Sequence, residues 1–183
     1  MNSSDSIDTV LRSDHAAIKR ALGDLRANAD PTVTGELFEQ LCADLVRHFV
    51  AEEQYLLPAV RDHLPDGDNT FEASFAEHRQ IEELLRKLDH DDTNDEQIGA
   101  ALGELSDAVD AHVVAQEAHA LPALVQAVDA DELAELGEGV LGAEQLAPTH
   151  PRAFAPKSAT VSKVTSWLAG LVEKSLDARD PDD

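Results

Sequence analysis

Apolar residues recur at intervals of three and four along most of the chain, which is the spacing of amphipathic α-helices. Asp5 or Ser6 can cap the first such stretch, and Asp30-Pro31-Thr32 separates it from the second. The pattern predicts four long helices, at about 5–29, 31–64, 70–88 and 95–128. Pro58 and Pro122 lie within the second and fourth stretches, where each is expected to kink or end its helix.

The predicted helices are joined by short breaks, so neighbouring helices should run antiparallel. We therefore predict an all-α fold, with an up-down-up-down four-helix bundle over residues 5–128. A shorter helical pattern follows at 129–146 and predicts an accessory fifth helix. The remainder, 147–183, reads as a Pro-rich linker followed by an amphipathic C-terminal helix.

The chain contains one histidine motif twice. The segment from His48 to Val60 reads HFVAEEQYLLPAV, and 64 residues later the segment from His112 reads HVVAQEAHALPAL. A lone histidine precedes the two copies by 33 and 34 residues, at His15 and His78 respectively. The order of these features indicates a tandem duplication, with one unit over about 5–64 and the other over about 70–128.

Helical geometry brings these side chains towards one another. Residues four apart share one face of a helix, and a residue seven positions on returns to that face. The two resulting sets are His48, Glu52 and Tyr55 in the second helix and His112, Gln116 and His119 in the fourth. His15 and His78 lie on the inward stripes of the first and third helices, so the bundle core should contain four or more imidazoles and at least one carboxylate.

A bound metal is the arrangement that best accounts for such a core. Buried imidazoles and carboxylates without partners would cost several kcal/mol in desolvation. Nitrogen and oxygen ligands without thiolate suit iron or manganese, although zinc accepts them too, and a bridging carboxylate can hold two metals. A single His-x-x-x-Glu is usually a surface ion pair and a lone core histidine is usually structural, but the ordered repetition favours a site.

Composition limits the partners and the location. Acidic residues number 37 against 14 basic ones, and the formal charge of −23 repels nucleic acid and anionic lipid but attracts cations. Cys42 is the single cysteine, which excludes an intramolecular disulfide and a cysteine-based metal site. No signal peptide or long apolar run is evident, so we expect a soluble cytoplasmic protein, monomeric or homodimeric, without a membrane or nucleic-acid partner.

The motif order resembles that of the hemerythrin-like, or HHE cation-binding, family: His, then His-x-x-x-Glu, then the same again. The resemblance covers about residues 10–127, and the fifth helix and Pro-rich tail are similar to those of longer actinobacterial members. The His-before-Glu order differs from the Glu-x-x-His order of ferritin-like bundles. The resemblance implies a four-helix bundle with a non-haem di-iron centre, in a family whose members bind or sense oxygen, handle nitric oxide or peroxide, or hold iron.

Carried over by position, the family pattern implies five metal ligands: His15, His48, Glu52, His78 and His112. Gln116 stands where the family has its second glutamate, and a neutral amide is a poor bridging ligand. Glu117 could supply the missing carboxylate, which is the alternative we favour, His119 could add an imidazole, or the site could hold one metal. Tyr55 could ligate ferric iron and assist oxygen–oxygen cleavage, or it could be a core residue that hydrogen-bonds a ligand carboxylate.

The leading hypothesis is a pair of non-haem iron ions, oxo- or hydroxo-bridged, that bind or react with oxygen, peroxide or nitric oxide. One ion, or another divalent metal, is the variant that Gln116 leaves open. Turnover of peroxide or nitric oxide, and thus enzymatic activity, is undecided. The alternatives are an iron-holding or iron-sensing protein and a metal-free interaction bundle.

Overall fold

The computed structural model describes residues 5–27, 31–88 and 95–147, and these residues form helices, with no β-strand among them. Two π-helical turns interrupt the long helices, at Glu52–Leu56 and at Gln116–Ala120. The α-helices are α1 (Ile7–Ala27), α2 (Pro31–Ala51), α3 (Leu57–His63), α4 (Gly67–Leu88), α5 (Asp95–Ala115), α6 (Leu121–Ala127) and α7 (Ala130–Leu146).

The prediction of an all-α bundle with an additional helix is confirmed. Helix α1 packs on α2 and α5, α4 packs on α5 and α3, and α7 is the additional helix. The predicted linker and C-terminal amphipathic helix, 147–183, lie outside the described part of the chain except for Ala147. Among the helices that the structure describes, none is long and apolar enough to cross a bilayer.

The two prolines widen their helices instead of ending them. Pro58 has no N–H to donate to the carbonyl of Gln54, and Pro122 has none for Ala118. In response, the Leu57 N–H donates five residues back to the Glu52 carbonyl, and the N–H of Leu121 does the same in the second copy. The α-helix resumes after each wide turn, so residues beyond Glu52 and Gln116 are rotated away from the predicted face.

The core has two apolar clusters with a polar layer between them. One cluster includes Ile18 of α1, Leu45 of α2 and Ile81 of α4. The other includes Leu11 and Leu56 and extends to the inner face of α7. Each helix of the bundle passes from one cluster to the other, and its histidine or glutamate lies at the change, so the metal-ligand candidates are enclosed by apolar side chains.

Helix α7 begins at a well-formed cap and closes over the bundle. The side chain of Asp129 accepts hydrogen bonds from the N–H groups of Asp131 and Glu132, at 3.1 and 3.0 Å. The helix then packs on α1, α2 and the first π-helical turn. Glycines permit the close approach, because a Cβ at Gly137 would lie 2.1 Å from the backbone oxygen of Asp5.

Substitution of Gly137 by alanine should therefore destabilise the protein. The added Cβ forces α7 away from the backbone preceding α1, at an expected cost of about 1–3 kcal/mol. Gly142→Ala in the same helix is the matched control, because no atom lies within 4 Å of its Cβ position, and we expect a gain of up to about 1 kcal/mol from helix propensity. Urea unfolding measures both; equal effects of the two substitutions would contradict the close docking of α7.

Candidate metal centre

Four imidazoles surround the carboxylate of Glu52, two at each of its oxygens. The Nε2 atoms of His48 and His15 lie 3.0 and 3.7 Å from Oε1. The Nε2 atoms of His78 and His112 lie 3.0 and 3.4 Å from Oε2. All five side chains are at least 98% buried. The first, second, third and fourth long helices thus each contribute a histidine, and the second also contributes the carboxylate between them.

The opposite nitrogen of each imidazole, Nδ1, faces a further carboxylate. Three of these contacts have hydrogen-bond distances and the fourth is longer. The pairs are His15–Glu117 at 3.0 Å, His78–Glu53 at 3.2 Å, His112–Glu77 at 3.0 Å and His48–Asp14 at 4.0 Å. A carboxylate that accepts a proton from Nδ1 fixes the tautomer and leaves the Nε2 lone pair facing the centre.

The carboxylates follow the duplication. Asp14 and Glu77, each directly before a lone histidine, face the second histidine of their own unit. Glu53 and Glu117, each five residues after a unit's second histidine, face the lone histidine of the other unit. The two repeat units therefore orient each other's candidate ligands, so the arrangement depends on how the units pack together.

Charges within the cluster set its protonation. Burial alone would raise the pKa of Glu52, but His48, His112 and His15 hold it well below its usual range, so the carboxylate is ionised. Burial lowers the pKa of His48 to about 4 despite the attraction of Glu52. Glu52 and acidic neighbours overcome burial at the other pair, raising the pKa of His112 to about 9 and that of His78 above its ordinary value. Metal binding therefore displaces protons from this pair.

Several buried polar atoms of the centre lack a hydrogen-bond partner, although some lie about 3 Å apart. They are His15 Nε2, His48 Nε2, His112 Nε2 and Glu52 Oε1. Electron-pair donors that approach one another without hydrogen-bond alignment suit ligands placed around a cation. One atom each from His15, His48, Glu52 and His112 lie within 4.8 Å of one another, as one ion requires. The residues therefore fit a metal.

Gln116 lies in the position that corresponds to Glu52. It is 1% exposed, and it begins the second π-helical turn as Glu52 begins the first. The structure places Glu117 elsewhere than the missing carboxylate: Arg12 binds its Oε2 at 3.1 Å, and its Oε1 contacts Nδ1 of His15. The centre thus has one carboxylate and one amide where the duplication would give two carboxylates.

His119 and Tyr55 are also placed differently from the expected face, because the wide turns rotate them. His119 is exposed at the surface. The Tyr55 ring packs within the second apolar cluster, where a Cβ at Gly139 would lie 2.3 Å from it. Among the described residues, no hydrogen-bond partner is found for the Tyr55 hydroxyl. Tyr55 therefore packs on α7, and His119 lies at the surface.

A second acidic group lies behind His48. Asp14 and Glu144 of α7 lie next to His48 in a surface pocket of about 430 Å³, and the three residues could also hold a cation. Burial, then the hydrogen bond and charge of Glu144, raise the pKa of Asp14 to about 8. Helix α7 therefore adds a carboxyl group next to the centre.

Sequence reasoning missed three residues at the centre. Asp14 and Glu77 had a usable signal, because an acidic residue precedes the lone histidine in both units. No such signal in the sequence pointed to Phe49, because Val113 occupies the corresponding place in the second unit. Its ring stacks on His78 with centroids 4.0 Å apart, which limits rotation of that imidazole.

Comparison with known proteins identifies the class of protein that this fold and site define. Residues 6–124 match the hemerythrin HHE cation-binding domain family, so the chain belongs to that family and the resemblance seen in its motifs is confirmed. The match covers the four-helix bundle and ends within α6, before α7.

Two curated proteins are similar to the chain. An uncharacterized hemerythrin-like protein of Schizosaccharomyces pombe is 23% identical over 172 residues, which are 93% of this chain and 85% of that protein. A DNA nickase of Nostoc is 29% identical over 112 residues, which are 61% of this chain. The chain spans only 31% of the nickase. No solved structure matches the chain significantly.

Proposed function

We propose that the protein is a non-haem di-iron protein that binds or reacts with a small oxidant such as oxygen, peroxide or nitric oxide. The observation that carries the proposal is the arrangement around Glu52, in which each carboxylate oxygen faces two imidazole Nε2 atoms. The carboxylate would bridge two ions, one held by His15 and His48 and the other by His78 and His112. One atom each of His15, His48, Glu52 and His112 also lie within 4.8 Å of one another, so a single ion held by those four residues is the variant that the geometry allows as well.

The chain's own residues would prepare and protect this centre. The iron ions, when bound, supply the redox electrons and the coordination positions at which small molecules bind. Glu77, Glu53 and Glu117 hold the imidazole tautomers through Nδ1. The apolar clusters on both sides exclude water and keep the local dielectric low, which strengthens each ligand's interaction with a cation.

Iron content per chain after anaerobic loading with ferrous iron tests the proposal, together with the ultraviolet–visible spectrum and the consumption of peroxide and nitric oxide. Two irons with turnover or reversible ligand binding would support it. Two irons that react with none of these molecules would favour an iron-holding or iron-sensing protein. Absence of bound iron would contradict both the di-iron proposal and the iron-holding or iron-sensing alternative, and would favour a metal-free interaction bundle.

We carry no DNA-directed activity over from the Nostoc nickase. The chain matches only a part of that protein, and a net charge of −23 opposes contact with a phosphate backbone. We propose small molecules as the partners of this chain.

A further inference from the structure

A surface cleft of about 640 Å³ leads to Gln116, on a different side of the centre from the pocket at Asp14 and His48. It lies between the N-terminal half of α4 and the second π-helical turn with α6. Ala73 and Ala123 line its outer walls, Ser74 and Glu77 line the α4 side, and Gln116 lines its inner end. The cleft thus connects solvent to Gln116, the position that corresponds to Glu52 in the first repeat unit.

Gln116 is the feature of the cleft that calls for a ligand. Its side chain is 1% exposed, and neither its amide nitrogen nor its amide oxygen has a hydrogen-bond partner. A buried amide without partners costs on the order of 1–3 kcal/mol, and a small molecule that accepts from its N–H would reduce that cost. A glutamate here would instead occupy a ligand position with negative charge.

Charge selects the class of molecule that enters. Glu77 lines the cleft, and its carboxylate contacts His112. The whole chain carries −23, so anions are repelled from this entrance. A neutral molecule pays no such penalty, and an amide, unlike a second carboxylate, leaves the inner end of the cleft uncharged.

We propose that this cleft is the entrance for a small neutral ligand, and that Gln116 at its inner end donates the hydrogen bond that holds the ligand beside the centre. The inference rests on the proposed function and deepens it: Gln116 sets the ligand class, and the cleft sets the rate of access. Gln116 is the first residue of the π-helical turn that lines the cleft.

Nitric oxide is the probe, mixed by stopped flow with the full chain loaded anaerobically with ferrous iron. Ala123→Trp fills the cleft and should lower the association rate at least tenfold with unchanged iron content. Ala73→Trp at the exposed rim is the second blocking variant, in case the first folds poorly. Ala111→Trp, in a neighbouring surface depression, is the matched control and should keep the wild-type rate.

Gln116→Leu preserves the size of the side chain and removes its N–H, so we expect about tenfold weaker nitric oxide binding with the iron retained. Gln116→Glu should retain the iron and also bind nitric oxide more weakly. Association rates that are equal in both blocking variants and the control, or an unchanged affinity in Gln116→Leu, would overturn the inference while the iron centre stands. Wild type that takes up no iron would overturn the proposed function, and the inference with it.

Discussion

Glu52→Gln is expected to abolish metal binding by the purified protein. The substitution keeps the shape of the side chain but replaces the ionised carboxylate on which four imidazole Nε2 atoms converge. Because both pairs of imidazoles face this one carboxylate, neither pair should retain a metal when a neutral amide replaces it. The loss of affinity should exceed the roughly 10–100-fold that removal of an outer partner costs.

Glu53→Gln is the matched control for that substitution. Glu53 is the next residue in the same turn and is also buried, but it contacts His78 through Nδ1 and not through Nε2. We expect weaker affinity with full occupancy at saturating metal, because the amide oxygen still accepts from Nδ1–H. Metal analysis across a titration separates the two variants. Full metal occupancy in Glu52→Gln would contradict a bridging role for Glu52.

The sequence predicted the bundle because its helical periodicity and its duplication agree with each other. Long stretches with apolar residues at helical spacing leave little choice of element, and short breaks leave little choice of topology. The inward faces of α1 and α4 followed from the same spacing, which is why His15 and His78 were expected in the core and are buried there.

The side-chain positions after Glu52 and Gln116 could not be predicted from that spacing. Regular helical geometry puts Tyr55 and His119 on the faces of His48 and His112. The prolines indicated a local disturbance, but not whether the helix would bend, end or widen. A wide turn of five residues changed the face, and it moved His119 to the surface and Tyr55 against α7.

The role of Glu117 shows a second limit. Counting along one helix places it near the ligand face, and that is how it became a candidate carboxylate. Its actual contact is with His15 on another helix, held there by Arg12. Contacts of this kind depend on how the two halves pack together, and a helical periodicity carries no information about that.

Removal of the metal by a chelator is expected to lower the free energy of unfolding, by several kcal/mol for tightly bound ions. The metal-free protein keeps four imidazoles and a carboxylate at least 98% buried with unpaired polar atoms. A cation satisfies those atoms only in the folded state, so its binding adds to the stability of the fold. Glu52→Gln, which should not hold the metal, is expected to show no response to the chelator.

The decrease in the free energy of unfolding that chelation causes should grow as the pH rises from 6.5 to 9. In the metal-free protein the pKa of His112 is raised to about 9, so its proton contributes stability that is fully present below the unfolded value of 6.5. That contribution is lost as the pH rises through 9, and His78 follows the same direction. In the metal-loaded protein both imidazoles are neutral, so this contribution to stability does not change with pH. Denaturant unfolding with and without chelator at the two pH values should therefore diverge by on the order of 2 kcal/mol, and parallel curves would contradict the displacement of protons by the metal.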